Sequence, residues 1–308
     1  MKRTIFFIFI LLVSSLNASQ DTQFLAKTRA IIFDMDGVLR CGFDALPGSN
    51  ELIEWMETAG MPAVILTNEC RYSTSMIRDD LHAMGINYPN HWSIYTAAMA
   101  VKDFLTGKAH CNGTLYVYVI GEAGLKQAIR HVRRIHFKIC DAIPDALTPD
   151  DQLYVIFGAV DFIRIEDLEQ AALWIRAGAK VITSCPDTSD PASKGDKLIG
   201  MPGNMVHMIK MHAPCTPYCV GKPHPFMIKK AVELLQKNDH TLQNHEILFV
   251  GDSLDTDIRL AFEADIPSVL VLSGNSRRPA LENSVIQPNL VFDSVVDLLK
   301  KLSQHKGQ

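Results

Sequence analysis

The 308-residue sequence lacks the features of several specialised protein classes. It has 30 Lys and Arg against 34 Asp and Glu, a net charge of −4, so it has no basic excess to hold nucleic acid or anionic lipid. Its seven cysteines are scattered and odd in number, which excludes a disulfide scaffold, and none has the paired spacing of a zinc site. A Cys215–Cys219 bridge in an oxidising compartment is the one pairing left open.

The sequence also lacks an apolar run long enough to span a bilayer. Its most apolar stretch, Ile5 to Val13, follows Lys2 and Arg3 and gives way to small residues ending at Ala18. This pattern predicts a secretory signal peptide over residues 1–18, and hence a periplasmic or secreted mature protein that is not in a membrane. The alternatives are a buried N-terminal strand or helix, or a misassigned start, which would leave the protein in the cytoplasm.

The composition is that of a folded globular protein, with 47% hydrophobic and 21% charged residues. A length of 308 residues fits one large domain or two medium ones. Short apolar runs alternate with amphipathic helical patterns along most of the chain, which predicts an α/β fold with parallel strands joined by right-handed crossovers.

A pair of carboxylates follows the first predicted strand. Residues 30–33 form a short apolar run, and Asp34 and Asp36 come directly after it. Residues two apart on an extended segment point the same way, so the two carboxylates can converge on one small site. Their repulsion is relieved by a divalent cation, and Mg²⁺ commonly combines one or two carboxylates with a phosphate. An Asp-Gly turn without a metal is the alternative.

Other polar residues follow further predicted strands. Thr67 and Asn68 come after the apolar run 62–66, and Asp252 comes after the run 247–250, with Asp257 five residues later. Because ligands bind at the carboxyl ends of strands in open α/β sheets, we expect these side chains at the same edge as the first carboxylates. For Thr67 alone, a helix N-cap is the commoner role.

The middle of the chain predicts a second α/β unit. Its segments are helix 95–104, strand 115–120, helix 124–132, strand 153–157, helix 165–177 and strand 180–183. None of them carries a carboxylate pair like the first one. We therefore predict a core domain of residues 28–74 and 216–308, with an inserted domain of residues 75–215.

Several separated stretches together resemble motifs of the haloacid dehalogenase (HAD) superfamily of phosphohydrolases, in its NagD-like or nitrophenylphosphatase branch. They are Asp34-Met35-Asp36-Gly37-Val38-Leu39, Leu46-Pro47-Gly48, Leu66-Thr67-Asn68, Tyr95-Thr96-Ala97-Ala98-Met99-Ala100, Gly221-Lys222-Pro223 and Gly251-Asp252-Ser253-Leu254-Asp255-Thr256-Asp257-Ile258. The match extends from about Ala30 to the C-terminus. It implies a Rossmann-like parallel-sheet core with an inserted α/β (C2-type) cap, and Mg²⁺-dependent hydrolysis of a small phosphomonoester such as a nucleotide or sugar phosphate.

The resemblance implies a chemical role for each matched residue. Asp34 would be the nucleophile that forms an aspartyl-phosphate, and Asp36 would protonate the leaving oxygen and later accept a proton from water. Thr67 and Asn68 would hold the phosphoryl oxygens. Lys222 would balance the negative charge of nucleophile and phosphate.

The same resemblance implies the metal ligands. Mg²⁺ would bind Asp34, the backbone carbonyl of Asp36, and Asp252, while Asp257 would act directly or through water. Two departures from the usual motifs concern the substrate rather than the chemistry: Glu69 adds negative charge near the phosphate site, and Cys185 stands where relatives often have Asn.

The cap of such enzymes closes over the site and excludes water. Asp187, in the stretch Ser184-Cys185-Pro186-Asp187, is the candidate cap residue that reaches the substrate, with a simple turn Asp as the alternative. The expected partner is a small phosphorylated metabolite, and a homodimer formed through the cap fits this branch.

Two other functions remain open at this point. A non-catalytic phosphate-binding or signalling protein can also group Asp, Thr and Lys around Mg²⁺, although it does not need an acid/base at Asp36. A phosphotransferase would use the same site and pass the phosphoryl group to an alcohol instead of water.

Overall fold

The computed structural model describes residues 23–107, 112–132, 136–191 and 197–306; the predicted signal peptide lies outside them. The strands are β1 Ala30–Phe33, β2 Arg40–Cys41, β3 Asp44–Ala45, β4 Ala63–Thr67, β5 Ser93–Thr96, β6 Leu115–Ile120, β7 Phe137–Ile139, β8 Gln152–Phe157, β9 Lys180–Thr183, β10 Ser189–Pro191, β11 Lys197–Ile199, β12 Tyr218–Cys219, β13 Ile247–Gly251, β14 Ser268–Val271 and β15 Leu290–Phe292. The helices are α1 Gln23–Lys27, α2 Ser49–Thr58, α3 Thr74–Ala83, α4 Ala97–Gly107, α5 Ala123–Arg130, α6 Ile165–Arg176, α7 Met201–His212, α8 Pro225–Gln236, α9 Arg259–Glu263, α10 Arg278–Glu282 and α11 Val295–Lys306.

Six strands form a parallel core sheet in the order β15-β14-β13-β1-β4-β5. β1 lies in the middle, where Phe33 is in register with Val250 of β13 and Ile65 of β4. Successive side chains of β1 enter opposite hydrophobic layers: Ile31 packs with residues of α1, α2 and α11, and Ile32 with residues of α4 and α8. Burial on both faces explains why these strands are continuous apolar runs, and the predicted α/β class is confirmed.

A second parallel sheet has the order β12-β9-β8-β6-β7. Its own hydrophobic cluster joins Tyr118 and Val155 of the sheet to Trp174 of α6 and Met205 of α7. Two short antiparallel hairpins, β2–β3 and β10–β11, stand apart from both sheets. The chain thus enters a second α/β unit after α4 and returns to the core sheet at β13.

The limits of the two units differ from the predicted boundaries at residues 75 and 216. Ser93–Thr96 pairs with β4 in the core sheet, so the core continues well beyond residue 74. Tyr218–Cys219 pairs with β9 in the second sheet, so the return comes later than residue 216. Both strands are short, and β5 passes into α4 without a break. The sequence pattern therefore read Tyr95 and Thr96 as the start of a helix.

The inserted unit packs directly on the core. Helix α4 packs against α5, and one continuous hydrophobic cluster includes Ile32 of the core sheet and Val117 of the second sheet. The backbone N–H of Gly124 donates to the carbonyl of Arg71 at 2.7 Å, and a Cβ on Gly124 would lie 2.4 Å from the backbone of Tyr72. Within the described ranges, every helix is too short or too polar to cross a membrane.

Candidate active site

The site forms where three neighbouring core strands end. Asp34 follows β1, Thr67 is the last residue of β4, and Asp252 follows β13. Since β1 pairs in parallel with both β4 and β13, all three side chains emerge at one edge of the sheet. The structure therefore brings together residues that are more than 200 positions apart in the sequence, as the strand-end argument predicts.

Lys222 lies at the centre of this group. Its Nζ is 2.7 Å from Oδ1 of Asp34 and 2.8 Å from Oδ1 of Asp257, and the lysine side chain is only 2% exposed. Burial lowers the pKa of Lys222, but the charges of Asp257 and Asp34 outweigh that effect and raise it overall. The ammonium group is therefore held charged between two carboxylates.

Three buried carboxylates surround the site with one cation among them. Oxygens of Asp34, Asp252 and Asp257 lie within 4.8 Å of one another. Asp257 also accepts from the backbone N–H groups of Asp252 and Ser253, both at 3.1 Å. Oδ1 of Asp252 is buried and has no hydrogen-bond partner among the described residues. Carboxylate oxygens in excess over cationic groups fit a hard divalent cation at this place.

The crowding of these carboxylates changes their acidity. Burial and the charge of Asp257 raise the pKa of Asp34 to about 8, against the opposing effect of Lys222. Burial, with the charges of Asp34 and Asp257, raises the pKa of Asp252 well above its ordinary value. Without a further positive charge the cluster thus tends to hold protons, and a divalent cation would displace them on binding.

The Asp36 carboxylate stands outside this cluster. Its Oδ1 accepts from Nε of Arg40 at 2.9 Å. Removal from water raises the pKa of Asp36, and the Arg40 charge opposes that rise. The side chain is consequently free of the cation site, as an acid/base requires; the implied metal contact concerned its backbone carbonyl.

Asn68 has a different place from the one that the resemblance implies. Its Nδ2 donates to Oδ2 of Asp187 at 2.8 Å and to the Lys222 carbonyl at 3.2 Å, while its Oδ1 accepts from the Lys222 N–H at 2.8 Å. With both amide hydrogens engaged, the side chain supports Lys222 and the cap instead of holding phosphate. Asp187 does reach the site, and burial raises its pKa.

Thr67 keeps the orientation that a phosphate contact needs. Its Oγ1 accepts from the backbone N–H of Glu69 at 3.0 Å, which leaves the hydroxyl proton for a phosphoryl oxygen. The Glu69 carboxylate, expected to add negative charge here, is instead paired with Arg71 at 2.8 Å and accepts from the backbone N–H of Cys70 at 2.8 Å. Its charge is therefore neutralised within its own loop.

Sequence reasoning missed two contributors. Arg40 lies in a short hairpin with no motif to mark it. Asn275 follows β14 at the same sheet edge, and its backbone N–H donates to Oδ2 of Asp252 at 2.5 Å. The strand-end argument applied to residues 268–271 could have found Asn275, but its side chain type is also common in turns.

A cavity of about 390 Å³ opens above these residues. The core contributes its floor with Asp34 and Thr67, the β2–β3 hairpin contributes Phe43, and the inserted unit contributes Asp161 and Asp187 to the opposite side. A buried carboxylate beside a lysine, a free hydroxyl and a second carboxylate, enclosed between a core and a cap, defines a site for phosphoryl transfer.

Comparison with known proteins agrees with this class. Residues 31–133 match the haloacid dehalogenase-like hydrolase family, and residues 219–298 match the HAD-hydrolase-like family. The ribonucleotide monophosphatase NagD of Escherichia coli K12 is 30% identical over 268 residues, which cover 87% of this chain and 97% of that protein. The acid sugar phosphatase of Staphylococcus saprophyticus is 26% identical over 90% of this chain and 98% of its own length.

Solved structures agree as well. NagD from E. coli K-12 superimposes with a TM-score of 0.72 at 29% identity, covering 88% of this chain and 98% of that one. The 4-nitrophenylphosphatase from Thermotoga maritima gives a TM-score of 0.75 at 25% identity, covering 90% and 98%. The chain therefore belongs to the haloacid dehalogenase-like hydrolases. It is a phosphatase of that family, an enzyme and not the non-catalytic protein left open above.

Proposed function

We propose that this phosphatase hydrolyses small phosphomonoesters, with Mg²⁺ as cofactor, through an aspartyl-phosphate on Asp34. The observation that carries the proposal is the contact of Lys222 Nζ with both Asp34 and Asp257, in a site where Asp252 keeps an unpartnered oxygen. Asp34, Asp252 and Asp257 would hold the cation, which when bound supplies positive charge against the phosphoryl oxygens.

Asp34 is arranged for attack through one oxygen. Its Oδ1 accepts from Lys222 Nζ and from the Met35 N–H, each at 2.7 Å, so Oδ2 faces the substrate. The bond from Oδ2 to phosphorus forms as the bond from phosphorus to the ester oxygen breaks. Asp36 donates its proton to that leaving oxygen, and the Thr67 hydroxyl donates to a phosphoryl oxygen.

The second step reverses the role of Asp36. Its carboxylate takes a proton from a water molecule as the water oxygen attacks phosphorus, which releases inorganic phosphate and frees Asp34. Lys222 keeps its charge in both steps because two carboxylates hold its ammonium group. The chain thus needs one acid/base that changes its protonation state and one cation that does not.

The size of the cavity supports a small substrate. About 390 Å³ is enclosed between the core and the inserted unit, which accommodates a metabolite and not a folded phosphoprotein. The relatives are named for ribonucleotide monophosphates, acid sugar phosphates and 4-nitrophenyl phosphate. We propose the same broad class for this chain, a nucleotide, a sugar phosphate or a similar metabolite, in the periplasm or outside the cell.

Release of phosphate from p-nitrophenyl phosphate tests the proposal. We expect turnover that requires added Mg²⁺ and that Asp34→Asn abolishes, since an amide cannot serve as the nucleophile. Acid quenching during turnover should trap a phosphorylated chain in the wild type only. Undiminished activity of Asp34→Asn would contradict the proposal, and phosphate transfer to added alcohols in preference to water would favour the phosphotransferase alternative.

A further inference from the structure

Arg40 is a buried cation whose position is set by the backbone around it. Its N–H donates to the Met35 carbonyl at 3.2 Å, and its carbonyl accepts from the Gly37 N–H at 2.7 Å. The residue is only 4% exposed, yet it lines the active-site cavity. The guanidinium is therefore fixed against the cavity and not displayed on the outer surface.

Most of the donors of this guanidinium are unused. Nε donates to Asp36, and among the described residues neither Nη nitrogen has a hydrogen-bond partner. Four N–H groups of a buried arginine are thus left without protein acceptors, although buried donors are nearly always satisfied. Arg71, on the same cavity, differs because Glu69 accepts from its Nε and Nη2. The open donors of Arg40 indicate a ligand.

The location of these donors shows which part of a substrate they meet. In the proposed function, on which this inference rests, Asp36 contacts the ester oxygen of the leaving group. The Nη groups belong to the same guanidinium whose Nε is 2.9 Å from Asp36. We propose that Arg40 determines specificity by binding an oxygen acceptor of the leaving group close to the ester oxygen.

The chemistry of the guanidinium ranks the acceptors. A planar fork of N–H groups matches a carboxylate with two parallel hydrogen bonds, and a hydroxyl with one. Preferred substrates are therefore phosphomonoesters whose alcohol carries a carboxylate or a hydroxyl on the adjoining carbon. An alcohol without such an oxygen leaves the Arg40 donors buried and unpaired, which penalises its binding.

Three two-carbon phosphates provide a matched test: ethyl phosphate, 2-hydroxyethyl phosphate and 2-phosphoglycolate. We expect the wild-type kcat/KM to rise in that order, by roughly 10- to 100-fold between the first and the last. Arg40→Met, which keeps the length of the side chain but has no donors, should bring the ratio close to one, chiefly through KM for the acceptor-bearing substrates. Arg40→Lys should retain an intermediate ratio.

Arg29→Met is the control. Arg29 pairs with Asp239 and Glu246 before β1, at the opposite end of the strand from the site, so the ratio should not change. A loss of the same factor for all three substrates in Arg40→Met would overturn the proposal and reduce Arg40 to a support for Asp36, as would equal wild-type rates. If Arg40→Met fails to fold in a thermal melt, the ratio in Arg40→Lys decides. Absence of wild-type turnover on every phosphate, p-nitrophenyl phosphate included, would instead refute the proposed function.

Discussion

At the scale of single residues, the site depends on how buried charges are compensated. Lys222 contacts two carboxylates with less than 3 Å between the charged atoms, and it does so where water has almost no access. Removing one partner of such a group leaves the others charged and unpaired in a medium that solvates them poorly. The energetic weight of the lysine therefore far exceeds that of an ion pair on the surface.

We expect Lys222→Met to lower the free energy of unfolding by about 3–5 kcal/mol and to abolish phosphate release. Urea denaturation at neutral pH with a chelator present measures the first effect. Lys230→Met is the matched control, because Lys230 pairs with Glu233 at 2.7 Å but both side chains are about one-third exposed or more. That change should cost less than about 1 kcal/mol. Equal losses in the two variants would contradict this account of Lys222.

Asp187 provides a prediction about pH. Burial raises the pKa of its carboxyl group above the ordinary value of about 3.9, and the hydrogen bond from Asn68 only partly opposes this. The folded state therefore binds this proton more tightly than the unfolded state does. Stability contributed by the protonated group is complete at low pH and is lost as pH rises through the folded-state pKa.

Asp187→Asn removes this titration while an amide oxygen can still accept from Asn68. The free energy of unfolding of the variant should gain on that of the wild type as pH rises from 4 to 8. Urea denaturation at pH 4, 6 and 8 measures the difference. The other groups that face Asp187, among them Lys222, Cys185 and Asp257, are common to both proteins. A difference that stays constant with pH would show that the Asp187 carboxyl is not perturbed.

At the scale of elements, the turn after β1 is shaped by a close approach of backbone to Asp252. Gly37 has a φ of +81°, and a Cβ there would lie 2.3 Å from Oδ2 of Asp252 and 2.8 Å from the Cα of Gly274. Glycine is thus required twice, for its conformation and for its lack of a side chain. The turn, as much as the strand, determines where the carboxylates of Asp34 and Asp252 meet.

Gly37→Ala should therefore remove both phosphatase activity and any stabilisation by added Mg²⁺ in a thermal melt. Gly42→Ala is the control, since its φ is also positive, at +61°, but nothing lies within 4 Å of the added Cβ. The control should lose only about 1–2 kcal/mol from the strained conformation and should keep its response to Mg²⁺. If the two variants respond alike, the contact with Asp252 is not what requires glycine at residue 37.

At the scale of the whole molecule, two parallel sheets pack against each other and enclose the site. The chain leaves the core after α4 and returns at β13, so the residues that line the cavity come from both units. A cap built in this way limits access by size and places Asp187 beside Asn68. The predicted dimer formed through the cap stays a prediction, which sedimentation of the purified chain can test.

Export is also a property of the whole molecule. We expect cleavage near Ala18, so that the protein recovered from the periplasm or medium begins close to Ser19. Mass spectrometry of the exported chain measures this directly. The first described helix, Gln23–Lys27, should remain in the mature protein because Leu25 is fully buried in the core cluster. A recovered chain that still begins at Met1 would contradict the signal peptide.

The sequence by itself determined the α/β class, most of the strands and the positions of Asp34, Asp252, Asp257 and Lys222. It could do so because buried parallel strands are short apolar runs, and because the ends of such strands meet at one edge of a sheet. Tertiary structure alone decided the two domain boundaries and the engagement of Asn68 with Lys222. It alone placed Arg40 against Asp36. These depend on pairings of very short strands and on the directions of side chains in turns, which interactions distant in sequence determine and no local pattern records.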